Sequence, residues 1–114
     1  MLNLFTDNRP QDTSWFLRNM CTDEFQEYKE KGHYSEANTS YLEMYCVPEA
    51  AYEFWISDAV GDGICCTQGS GLYNVTYGGD EVAHGGEFAY SQGTSFGAYH
   101  SVPTPVSSSL VLKR

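Results

Sequence analysis

"AYEFWISDAVGDGICCTQGSGLYNVTY", residues 51–77, holds two alternating apolar stretches on either side of an acidic, glycine-studded turn. In "AYEFWIS" the residues Tyr52, Phe54 and Ile56 fall on every second position. In "GLYNVTY" Leu72 or Tyr73 leads on to Val75 and Tyr77. A period of two is the mark of a strand with one buried face, because successive side chains point to opposite sides. The aromatic and β-branched residues favour the same reading.

The pattern continues outward in both directions. "LNLF" alternates at the start, "TSWFLRN" follows a proline-containing turn, and "EVAHGGEF" and "GTSFGAY" read as further short strands. "YGGDE" reads as a hairpin turn, since Gly78 and Gly79 tolerate positive φ. Turn signals at intervals of about eight to twelve residues imply a sandwich or barrel. The expected fold is all-β, a small antiparallel β-sandwich of jelly-roll-like form.

One segment departs from this period. In "CTDEFQEYKEKGHYSEANTSYLEMY" Phe25 and Tyr28 stand at helical spacing, and Thr22 precedes three acids in the manner of a cap. Residues 22–40 are therefore expected to form a short helix, at most Asp23 to Lys31 and ended by Gly32, or a long loop. The composition changes again at Ser101. Residues 101–109 read as a Pro/Ser/Thr-rich linker. Residues 110–114, "LVLKR", resemble the opening "LNLFTD" in pattern, and read as an edge strand or as the start of a following repeat. Residues 1–100 are then one disulfide-stapled module.

Bulk properties narrow the function. With 114 residues there is room for one core but not two comfortable ones. The net charge of −9 repels phosphate backbones, which argues against nucleic acid. It suits a cation-binding or well-solvated secreted surface. There is no apolar run near 18 residues, so no membrane span is expected. The first ten residues, MLNLFTDNRP, have neither the basic nor the apolar region of a signal peptide. That fits an intracellular chain or an excised piece of a larger one, and the cysteines favour the second.

Those cysteines are Cys21, Cys46, Cys65 and Cys66. No C-x-x-C spacing occurs, so redox and zinc-ribbon motifs are missing. An even number in a small acidic β-domain points to disulfides and an oxidising compartment. A bridge between neighbours needs a strained eight-membered ring. On a strand, Cys65 and Cys66 would face opposite sides. Two separate bridges are therefore expected, one to Cys21 and one to Cys46, in either arrangement; the competing reading is four reduced core thiols. Sequons at Asn38 and Asn74 are candidate glycosylation sites.

The turn "SDAVGDG" is the candidate for chemistry. Asp58 and Asp62 stand four apart in a flexible backbone, and calcium seeks six to eight oxygens, many from carbonyls. The EF-hand pattern is met only in part, because Val60 occupies the third position and Gly69 the twelfth. Further ligands are expected from "TDNRPQDTSW", namely Asp7 and Asp12. If "LNLF" and "YEFWI" lie side by side, the following turns meet at one end of the sheet. Four aspartates there repel unless a cation, Ca2+, sits between them. The plainer alternative is that all four are ordinary Asx-turn residues. Phosphate is disfavoured, since no lysine or helix N-terminus backs the glycines.

The stretches "SDAVGDGICC", "GSGLY", "GGEF" and "TSF", with "TDNRPQDTSW" and "CVPEAAYEF", resemble a repeat module of secreted, often multidomain proteins of marine bacteria, diatoms and related algae. Its pattern runs T-D-x-x-P-x-E-T-S-W, C-x-P-x-x-x-Y-x-F, D-S-x-G-D-G-[IL]-C-C, G-x-G-x-Y, G-G-x-F and T-S-F. The likeness covers about residues 2 to 97. Asp12 stands in place of Glu, Ala59 in place of Ser, and Gly97 where a Cys often follows T-S-F. The resemblance implies an extracellular β-sandwich with no activity of its own.

Nothing in the sequence assembles a catalytic set. His33, His84 and His100 are scattered, and His84-Gly85-Gly86 lacks a nucleophile elbow. Asp58 and Asp62 as a glycosidase pair lack a visible cleft. The expectation is a non-catalytic extracellular or cell-surface structural or adhesive module, calcium-stabilised, and one unit of a tandem-repeat glycoprotein fibre. Its partners would be neighbouring copies or domains, or glycans. The alternative is a carbohydrate-binding module on a secreted hydrolase, with Trp15, Trp55, Tyr90 and Tyr99 stacking on sugars.

Overall fold

Among the described residues, each stretch of period two contributes a strand. The computed structural model describes residues 1–66 and 69–98. Its strands are β1 (Leu2–Phe5), β2 (Thr13–Asn19), β3 (Glu24–Lys29), β4 (Ser40–Glu43), β5 (Ala51–Asp58), β6 (Leu72–Tyr77), β7 (Asp80–Gly85) and β8 (Ser91–Gly97), with one 3-10 turn at Pro10–Asp12. They form two four-stranded antiparallel sheets, ordered β4-β1-β6-β7 and β3-β2-β5-β8. If the chain is imagined as a closed circle, these two orders are those of the double Greek key of a jelly roll. Among the described residues no helix is long and apolar enough to cross a membrane. The expected linker and final segment, residues 101–114, lie outside the described residues.

The inner faces meet as the alternation requires. Leu2 and Leu4 of β1 and Tyr73 and Val75 of β6 come from one sheet; Trp15, Phe54 and Ile56 come from the other. Phe54 packs on Tyr73 across the gap at 5.8 Å between ring centroids. Trp15 donates its Nε1–H to the Tyr34 hydroxyl at 2.8 Å, and that hydroxyl donates to Glu43 Oε2 at 2.9 Å. This chain satisfies the polar atoms of a wholly buried tyrosine. Gly78 and Gly79, both with positive φ, make the expected hairpin between β6 and β7.

The expected helix within residues 22–40 is not there. Residues 24–29 are strand β3, and only the following stretch to Thr39 is a loop. The physical reason is a β-bulge. Leu17 of β2 faces Glu27 while Arg18 faces Phe25, so Gln26 is the extra residue. A bulge puts residues three apart on the same face of a sheet, which copies helical spacing. Phe25 and Tyr28 thereby share the outer face, where Phe25 packs edge-on against Phe16 at 5.1 Å. The Asn19 side chain, not Thr22, organises the turn, its Oδ1 accepting the N–H groups of Cys21 and Thr22.

Candidate functional site

Pairing brings the aspartates to one end of the sandwich. β1 and β5 do not lie side by side as expected, for they belong to different sheets. The turns after them meet all the same. β2 pairs with β5 so that Thr13 faces Asp58, and the Ala59 N–H bonds to the Asp12 carbonyl at 3.0 Å.

Two of the four carboxylates are buried, Asp7 with 1% and Asp58 with 2% of its surface exposed. Asp7 Oδ1 accepts the Arg9 N–H at 2.8 Å. Asp58 Oδ2 accepts the N–H groups of Gly61 and Asp62 at 2.8 and 3.0 Å, which closes the loop over it. These are Asx-turn bonds, so that alternative holds for Asp7 and Asp58 as far as it goes. It leaves the charge unanswered. Burial raises the Asp7 pKa, with the charges of Asp62 and Asp12 adding to it against the Arg9 N–H. Burial also raises that of Asp58, and a carboxyl–carboxyl hydrogen bond with Asp62 adds to it. Arg9 pairs with Asp12 at 3.4 Å and is the one cationic side chain in an ion pair at this end among the described residues. Asp12 Oδ2 is cut off from solvent without a hydrogen bond, as is the neighbouring Thr13 hydroxyl.

The donor set fits a hard cation in type, being all oxygen. It is not a closed cage: among the described residues no three His, Cys, Asp or Glu side chains converge to hold a metal ion by themselves. Any cation here would draw on loop carbonyls and water as well, as calcium commonly does.

The loop itself is fixed by close packing. A side chain on Gly71 would meet the carbonyl oxygens of Ile64 and Phe5 at 2.5 and 2.8 Å. Gly63 has φ +69°, and its N–H bonds to the Ala89 carbonyl. Ile64 between them is fully buried in the core.

The two neighbouring cysteines lie in contact across a cis peptide bond, while Cys21 is half-buried and Cys46 exposed, and neither of these two is bridged among the described residues. The doublet lies in a turn rather than along a strand, with only a single bridge from Cys65 to Ser70. Strand alternation therefore does not set its two side chains on opposite faces.

Other candidates separate by face. Asn38 is exposed on a loop with φ +51°, and Asn74 lies on β6, its Oδ1 accepting from Asn3 at 2.9 Å. His33 is exposed and stacks edge-on against Tyr34. His84 is exposed beside Glu81. His100 and Tyr99 lie outside the described residues. Of the expected sugar-stacking residues, Trp15 is core, with 4% exposed. Trp55 is half-buried on the outer face of β5, and Tyr90 is exposed above Gly61. Phe16, Phe25 and Tyr28, not among the expected stacking residues, share that outer face with Trp55. A cavity of about 480 Å3 opens between the sheets at the end away from the aspartates, lined by Leu2, Leu17, Phe54, Val75 and Phe96 among others. No protein family, curated protein or solved structure matches the chain.

Proposed function

We propose that this chain is a non-catalytic extracellular module, structural or adhesive, whose sandwich is stabilised by calcium at Asp7, Asp12, Asp58 and Asp62. It serves as one unit of a tandem-repeat glycoprotein, in line with its resemblance to secreted repeat modules. The observation that carries the calcium reading is the burial of Asp7 and Asp58 beside two further carboxylates, with only Arg9 paired among them. Burial favours the protonated form of Asp7 and Asp58 when no cation is present, and a divalent cation relieves the repulsion with the carboxylates ionised. The even number of cysteines and the two sequons support an oxidising setting.

Calcium sites of extracellular modules have dissociation constants of about 10⁻⁴–10⁻³ M. At about 10 mM, a ten- to hundredfold excess over that constant, bound calcium adds about 1.4–2.7 kcal/mol to stability. For a domain of this size that is a rise of roughly 5–20 °C in Tm. The test is a thermal melt in about 10 mM calcium against one in EDTA. Superimposable melts would remove the reading.

A further inference from the structure

The outer face of the β3-β2-β5-β8 sheet carries a row of aromatic rings. The register places Tyr28, Phe16, Trp55 and Gly93 side by side across the four strands. Three ring-bearing positions on adjacent strands span about 10 Å, at about 4.8 Å per strand. Phe25 extends the row, packed edge-on to Phe16. Tyr28 and Phe25 are 57% and 62% exposed. Gly93 sets the plane of the plate: a Cβ there would run into the six-membered ring of Trp55, so the indole lies flat across β8. Beside Phe16, Phe25 and Tyr28 runs an open groove of about 430 Å3.

The flanks are polar in a particular way. One row along the strands, Ser14, Ser57 and Ser91 are paired across the sheet on the same face. One row the other way stand Arg18 and Glu53, which hold each other at 3.0 Å. Arg18 also pairs with Asp23. The face therefore has no surplus positive charge, in a chain of net charge −9. That disfavours anionic polymers, acidic membranes and a second copy of the same acidic chain. What remains complementary is a neutral ligand with one flat apolar face and a rim of hydroxyls. The surface is open and shallow, which suits a polymer lying across it better than an enclosed small molecule.

We propose that this aromatic row is a binding site for a neutral polysaccharide. Pyranose rings stack their C–H faces on Trp55, Phe16 and Tyr28 and turn their hydroxyls to the serine row and to the Arg18–Glu53 pair. The proposal goes beyond the calcium reading and does not depend on it.

Affinity electrophoresis of the full chain, in native gels cast with hydroxyethylcellulose, laminarin, xylan or galactomannan, tests it. Retardation in at least one gel is expected. A titration with the matching oligosaccharide should change the Trp55 fluorescence. Trp55→Ala and Tyr28→Ala should each weaken binding about tenfold or more. Tyr28 is exposed, so its variant keeps the fold, checked by circular dichroism. Leu72→Ala on the other sheet, 52% exposed, should bind as the parent does. Unretarded migration in all four gels overturns the proposal, as does equal retardation of both aromatic variants. Sedimentation showing a dimer that Tyr28→Ala dissolves would put a second copy on the face instead.

Discussion

Ile64→Ala probes what holds the aspartate loop in place. Ile64 of that loop is fully buried, and its N–H bonds to the Gly86 carbonyl at 2.9 Å. The substitution removes three carbons from the core. At about 0.8 kcal/mol per buried methylene the transfer loss is about 2.4 kcal/mol. The site cannot collapse freely, because the Ile64 carbonyl lies where a Gly71 side chain would be and the backbone is pinned on both sides. A cavity contribution therefore adds to the loss, for about 3–4 kcal/mol in all, inside the usual span of about 2–5 kcal/mol. The expected fall in Tm is roughly 12–25 °C. Urea unfolding followed by tryptophan fluorescence, in calcium and in EDTA, gives the value. Ile64→Val should cost only about 0.5–1.5 kcal/mol. A loss below about 1 kcal/mol for Ile64→Ala would refute the claim that core burial anchors the loop.

Tyr34→Phe removes the acceptor of the Trp15 indole N–H and the donor to Glu43. It should cost about 1–3 kcal/mol in urea unfolding, since a buried N–H is left unpaired. In EDTA, stability should fall as pH rises from the ordinary aspartate value of 3.8, because burial makes the folded state bind protons to Asp7 and Asp58 more tightly than the unfolded one. In calcium the slope should reverse, since the cation requires ionised carboxylates. Urea midpoints of the parent and Asp58→Asn across this range isolate the contribution of Asp58. Alkylation of the denatured, unreduced chain should modify Cys21 and Cys46 and spare Cys65 and Cys66. Four protected cysteines would restore the two bridges first expected.

Much of the fold was legible because alternation is a local signal. "TSWFLRN" is β2 to the residue, and the pair Gly78-Gly79 marks the hairpin between β6 and β7. Strand β3 was not, because the Gln26 bulge gives Phe25 and Tyr28 a helical interval. Strand β4, four residues within a charged segment, is too short for its period to stand out. That the turns bearing the aspartates share one end of the sandwich was not legible, because it depends on the register of Thr13 with Asp58 and on two sheets facing each other. The outer aromatic row had a usable signal. In "TSWFLRN" Trp15 shares parity with Thr13 and Leu17, while Phe16 shares it with Ser14 and Arg18. The polar parity marks the outer face, so Phe16 rather than Trp15 was the exposed ring.

Whether the buried aspartates serve a cation is decided by equilibrium dialysis of calcium against the EDTA-stripped chain. One calcium per chain is expected, with a dissociation constant of about 10⁻⁴–10⁻³ M, and its loss in Asp58→Ala. A folded parent chain that takes up no calcium at about 10 mM, or an Asp58→Ala variant that binds as the parent does, would contradict it.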